Sequence, residues 1–215
     1  MGDIEVLTHE AGHAFQAYSS RNFDIPEYFF PTSEACEIHS MSMEFLTWPW
    51  MNCFFKDQTD KFKYSHLKGS VIFIPYGVSV DEFQHWVYEN PVHTDMERAE
   101  QWLEIMDEFS SPVIDFSGLK EYRLYGWQRQ LHLFEVPFYY IEYGIAQLGA
   151  IGLWQQYKKN PEAAINNYIA ALDLGGTRTL PELFKAAGLE FNFSPEHISG
   201  LMKFVKQELD GITKK

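Results

Sequence analysis

Residues 9 to 13 read His9-Glu10-Ala11-Gly12-His13, an H-E-x-x-H string inside an apolar-periodic segment. On an α-helix, positions i and i+4 are neighbours, so both imidazoles can reach one metal ion. Glu10 is rotated by about 100° from His9 and lies beside the position that the two rings leave open. The chemistry this implies is metal-assisted hydrolysis: a zinc ion that makes water nucleophilic at neutral pH, and a glutamate general base that takes the water's proton.

A catalytic zinc usually has three protein ligands and keeps a fourth position for water, so a third ligand is required. The best candidate is Glu37, twenty-four residues past His13 in Cys36-Glu37-Ile38-His39-Ser40. Glu34, His39 and Glu44 compete for the same role. Positioning Glu37 takes two helices and a reversing loop. The first helix is expected from about Asp3 to Ser19, followed by a polar and aromatic loop through Phe23, Pro26 and Pro31. The second opens at Ser33 as N-cap, carries Glu34 and Glu37 in its first turn where the helix dipole favours acids, and is limited by Pro49. Glu44 lies seven residues after Glu37, on the same face, as an acceptor for a ligating imidazole N–H.

The remaining pattern is helical almost throughout, with Pro, Gly and Asn between segments and little apolar/polar alternation, which predicts an all-α chain. A long segment from about Lys56 to Tyr88 contains Pro75 and Gly77, where a kink or break is expected. Helices follow near Asp95 to Phe109 and Pro137 to Lys159. Three more open at Asn160-Pro161, at Thr179 or Leu180 before Pro181 with Gly188 as the stop, and at Ser194-Pro195. No internal repeat or flexible linker marks a domain boundary, so residues 1–215 read as a single catalytic region. His66, His85, His93 and His197 lie outside these motifs and are assigned no role. The segment Asp81 to Tyr88 suits a channel lining and ordinary packing equally.

With 215 residues, 46% of them hydrophobic, the chain can bury one substantial core or two lobes. The net charge of -13 argues against nucleic acid or an anionic membrane as partner, since both require clustered Lys and Arg. The first residues lack a basic and apolar leader, and no apolar run approaches the roughly 20 residues that span a bilayer. Cys36 and Cys53 read as reduced core residues, which favours a cytoplasmic location.

Together these motifs resemble the oligoendopeptidase F and thimet oligopeptidase family of zinc metallopeptidases, closest to the oligoendopeptidase F branch. The likeness is carried by His9-Glu10-Ala11-Gly12-His13 with Ala14-Phe15-Gln16, by Glu37-Ile38-His39-Ser40-Met41-Ser42-Met43-Glu44, and by Pro75-Tyr76-Gly77 with Asp81-Glu82-Phe83-Gln84. It continues in His132 followed by Pro137-Phe138-Tyr139-Tyr140-Ile141-Glu142-Tyr143. The resemblance implies a largely helical zincin that cleaves short peptides in a deep channel. It implies His9, His13 and Glu37 as ligands of one Zn2+ and Glu10 as general base. It also implies His132 with Tyr139 and Tyr143 as groups contacting the substrate or the tetrahedral intermediate, with Tyr140 as an alternative. A phenol is a neutral donor at pH 7, suited to an oxyanion.

Family members carry further sequence before the zinc motif, and this chain begins eight residues before His9. The expectation is therefore the catalytic region without the N-terminal part of the family fold. Its partners would be oligopeptide substrates and, for the opposite cleft wall, an N-terminal region or a split partner chain. Two other readings stay open at this point: a metallocarboxypeptidase of related helical architecture, and an inactive zinc-binding fragment.

Overall fold

In a computed structural model, residues 2–111 and 113–213 are described. Among them every regular element is helical. The α-helices are α1 (Gly2–Ser20), α2 (Ser33–Leu46), α3 (Asn52–Phe55), α4 (Thr59–Glu89), α5 (Asp95–Phe109), α6 (Lys120–Leu124), α7 (His132–Glu135), α8 (Tyr140–Lys159), α9 (Pro161–Asp173), α10 (Leu180–Ala186) and α11 (Pro195–Thr213). Short 3-10 turns join several of them. No helix is long and apolar enough to cross a membrane, among the described residues.

The chain divides into two compact units, Met1–Gly69 with Ile145–Lys215, and Ser70–Gly144. In the first, Leu46 of α2 packs with Leu153, Tyr168, Ala171 and Leu172, while Ile38 of the same helix packs with Ala146 and Phe184. An aromatic cluster adds to this core. Phe45 stacks on Trp154 at 4.9 Å, and Trp48 and Phe204 each meet Trp154 edge-on. In the second unit, Val80 and Phe83 of α4 pack with Trp102 and Ile105 of α5 and with Trp127.

The C-terminal half of α1 is held by its polar side chains. Gln16 is fully buried and donates through Nε2 to the Leu172 carbonyl at 3.2 Å. Ser20 donates to the Phe29 carbonyl at 2.6 Å. Between these anchors the loop after α9 passes so close to the loop after α1 that a Cβ at Gly175 would sit 2.2 Å from the Tyr28 carbonyl. Gly175 also has φ +48°, so both space and conformation select glycine there.

Most expected starts and stops hold. Asn160 accepts from the Ala163 N–H at 3.2 Å and opens α9, with Pro161 in its first turn. Asn160→Ala should lower stability by about 1 kcal/mol, measurable by denaturant melts. Gly188 follows α10 at φ +71°. Other expectations need correction. Ser33 is the first helical residue and Thr32 takes the cap position, with no side-chain cap bond. Pro75 does not break α4, which runs through it. Buried Ser79, Val80 and Phe83 follow directly, and their packing offsets the hydrogen bond that proline removes. The helix expected from Pro137 begins at Tyr140, because Phe138 has φ +63° and its N–H donates to Gln84 Oε1 at 2.7 Å. Cys53 is exposed, and only Cys36 is partly covered; burial pushes its thiol up to about 11.

Candidate metal centre

The crossing of α1 and α2 explains the glycine of the H-E-x-x-H string. A Cβ on Gly12 would lie 2.5 Å from the Ser40 Cα and 2.8 Å from the His39 carbonyl oxygen, both backbone atoms. The two helices are therefore in backbone contact where the histidines of one face the acids of the other. Ser40 donates to the Glu37 carbonyl at 3.0 Å and approaches Glu37 Oε2 at 3.3 Å, which helps to hold that carboxylate.

His9 and His13 stand edge-to-face, ring centroids 4.9 Å apart. His9 Nε2 lies 3.3 Å from Glu37 Oε2, and His13 Nε2 lies 3.9 Å from Glu37 Oε1. One donor atom from each of His9, His13 and Glu37 falls within 4.8 Å of the other two. Ligands roughly 2.1 Å from a tetrahedral ion are about 3.4 Å from each other, so two imidazoles and a carboxylate at these separations fit a zinc-type ion with little adjustment.

Of the four acids and histidines that competed for third ligand, Glu37 is the one grouped with both imidazoles. His39 is buried; its backbone carbonyl accepts from Tyr168 at 2.8 Å, and burial, then the nearby His13, lowers its imidazole to about 3. Glu44 lies on the other side of His9 and accepts from Nδ1–H at 2.7 Å. An ionised carboxylate only accepts, so this bond keeps a proton on Nδ1 and makes Nε2 the nitrogen available to a metal.

Burial alone would lower His9, yet the hydrogen bonds and charges of Glu37 and Glu44 outweigh it and raise the imidazole to about 9. A field that holds a proton so strongly also favours a metal cation. Burial would raise Glu44, but His66 and His9 overcome it and lower its carboxyl below the usual range. Glu10 is exposed on α1, next in sequence to His9.

His66 was given no role by sequence reasoning. Its Nε2 lies 2.5 Å from Glu44 Oε2, and Trp48 Nε1 donates to its Nδ1 at 3.2 Å. The pairing joins α4 to α2 across the fold and leaves no local spacing signal. The one hint is helical: Phe62 and His66 are i, i+4 on one face, and their rings stack.

The late motif assembles within the second unit. The His132 ring is 6.0 Å from Tyr139, 4.9 Å from Tyr140 and 6.0 Å from Tyr143. Tyr139 precedes α8 instead of lying on its face, yet its ring still meets Tyr143 edge-on at 5.2 Å. Gln130 bridges the cluster, its amide against His132 Nδ1 at 2.7 Å and its carbonyl accepting from Tyr76 at 3.0 Å. Burial, with Tyr76 nearby, pushes the Tyr140 phenol up to about 12, so it stays a neutral donor.

Comparison with known proteins adds an independent line. The chain is 46% identical to the solved structure of PZ peptidase A with inhibitor 2, at TM-score 0.92, over 98% of this chain and 38% of that one. It is 43% identical to a Bacillus anthracis str. Ames protein described as an oligoendopeptidase F, at TM-score 0.82, over 98% of this chain and 35% of that one. A curated relative from Borreliella burgdorferi, named an oligoendopeptidase F homolog, is 24% identical over 82% of this chain and 30% of its own length. The chain thus spans about a third of the length of these relatives. The helical fold is that of a region within oligoendopeptidase structures. The profile of Peptidase family M3 matches residues 1–202, and on that match, with the helical fold and the paired motifs on α1 and α2, this chain belongs to Peptidase family M3.

Proposed function

We propose that the chain is the catalytic region of a zinc metalloendopeptidase that hydrolyses peptide bonds in short oligopeptides. The observation that carries the reading is the grouping of His9, His13 and Glu37, whose donor atoms lie within 4.8 Å of one another on two helices in backbone contact. Those three residues hold the metal ion. When bound, the ion supplies Lewis acidity, making water nucleophilic near pH 7 and polarising the scissile carbonyl.

The chain's own residues do the rest. Glu10 takes the proton from the attacking water and returns it to the departing amine, so one carboxylate serves as base and then as acid. Glu44 keeps the His9 proton on Nδ1, which fixes Nε2 as the ligating atom. His132, Tyr139 and Tyr143, with Tyr140 as the alternative, donate hydrogen bonds to substrate or to the developing oxyanion. The likeness of the late motif supports this role, as does the packing of the four rings into one cluster. The oligopeptides acted on are the chain's proposed partners, and the cleft's opposite wall would come from sequence beyond this region.

The test is hydrolysis of an internally quenched, C-terminally blocked oligopeptide, with zinc determined on the same sample. Cleavage should vanish on treatment with a strong chelator and return on adding one equivalent of zinc. Blocking the peptide C-terminus removes the substrate of a carboxypeptidase, so cleavage establishes an endopeptidase. Well-folded protein with no affinity for zinc would overturn the metal centre, and stoichiometric zinc without cleavage would overturn activity of the isolated region.

A further inference from the structure

We propose that Trp48 and His66 extend the metal centre into the core as a hydrogen-bonded relay that positions Glu44 and, through it, the ligating ring of His9. His66 is then a positioning residue for metal binding. The inference rests on the metal-centre reading and adds to it two residues that the zinc motif does not contain.

The relay follows from donor and acceptor chemistry. Trp48 Nε1 can only donate, so His66 Nδ1 must be the acceptor in their 3.2 Å contact. The remaining nitrogen, Nε2, then carries the ring proton and donates to Glu44 Oε2 at 2.5 Å. Glu44 uses its other oxygen, Oε1, to accept from His9 Nδ1 at 2.7 Å. Four side chains from α1, α2, the turn at residues 48–50 and α4 are thereby set in one consistent order, with a neutral His66 satisfied at both nitrogens.

Burial makes the order matter. The His66 side chain is 6% exposed and that of Glu44 is 16% exposed, so little water replaces a lost partner. The Trp48 end is locked by the aromatic core, with its ring edge-on to Trp154. Without the His66 donor, Glu44 Oε2 would lack its direct protein partner, and the carboxylate would be free to swing away from His9 Nδ1. His9 would then lose the bond that keeps Nε2 aimed at Glu37. Packing alone does not require histidine here, because the contacts of its ring with Phe62 and Phe45 would suit a phenyl ring equally.

That difference gives the test. Zinc affinity is measured by chelator competition on the 215-residue chain and its His66→Phe, His66→Gln and Trp48→Phe variants, with helicity followed by circular dichroism. Ring-nitrogen NMR on the wild type reads the His66 tautomer. His66→Phe keeps the ring contacts and should weaken zinc binding by about 10–100-fold with helicity retained. His66→Gln, whose amide can both donate to Glu44 and accept from Trp48, should recover most of that loss. The NMR should show a protonated Nε2 and a bare Nδ1.

Zinc affinity of folded His66→Phe within about threefold of wild type, or a proton on Nδ1, would overturn the relay while leaving the metal centre standing. Absence of zinc binding by the wild type would overturn both. If His66→Phe does not fold, Trp48→Phe and the wild-type NMR decide: unchanged zinc affinity in the tryptophan variant overturns the relay, and a severalfold loss supports it.

Discussion

Glu10→Gln should lower kcat/KM for a blocked oligopeptide by about 10²–10⁴ while the protein still binds one equivalent of zinc. The substitution keeps the length and polarity of the side chain and removes its basicity. Glu10 is exposed on α1 and is not among the three residues whose donor atoms group together. Metal affinity should therefore barely change, in contrast to His13→Ala, which should lose both zinc and activity. The rate loss corresponds to roughly 3–5 kcal/mol of transition-state stabilisation, the range expected when water must lose its proton without a positioned base. Parallel assays of zinc content and peptide cleavage separate the two effects. If Glu10→Gln cleaves within about tenfold of wild type, another group removes the proton and the role proposed for Glu10 is wrong.

Why the proposed chemistry can be read from a linear string, and the proposed relay behind it cannot, is a matter of how each geometry is encoded. His9, Glu10 and His13 share one helix, and the 3.6-residue turn alone converts their spacing into a shared face. Glu37 needs one further step, a helix pair joined by a short loop, and the run of proline and aromatic residues between Ser20 and Ser33 supplies the signal for it. Glu44 follows because seven residues return to the same face of α2. His66 has no such link. Its bond to Glu44 depends on how α4 packs on α2, and nothing within one helix specifies that.

The errors in the fold have similar causes. Pro75 reads as a kink or break because local propensity opposes helix there, and buried side chains on the following turn keep α4 continuous. The helix expected from Pro137, which would put Tyr139 and Tyr143 on one face, starts later because periodicity cannot see the positive φ of Phe138, which Gln84 stabilises from a distant segment. The short helices between residues 110 and 139 are too brief for a periodic pattern to appear.

The glycine of the H-E-x-x-H string is the more demanding case, since helix propensity alone would favour alanine there by about 0.8–1 kcal/mol. Gly12→Ala should instead destabilise the protein by about 1–3 kcal/mol and weaken zinc binding at least tenfold. The added methyl would meet the Ser40 Cα at 2.5 Å and the His39 carbonyl at 2.8 Å. Both are backbone atoms of α2, so no rotamer change relieves the clash, and the helices must part by about an ångström to reach ordinary contact. Glu37 rides on α2 while His9 and His13 ride on α1, so separation of the helices lengthens the distances that group the three donors. Gly69→Ala is the matched control: that glycine is also helical, and a Cβ there would meet nothing within 4 Å. The control should gain up to about 1 kcal/mol and bind zinc as wild type does. Thermal melts and chelator competition on the two variants measure both effects. Equal zinc affinity in Gly12→Ala and Gly69→Ala would mean that the backbone contact between α1 and α2 does not set the ligand geometry.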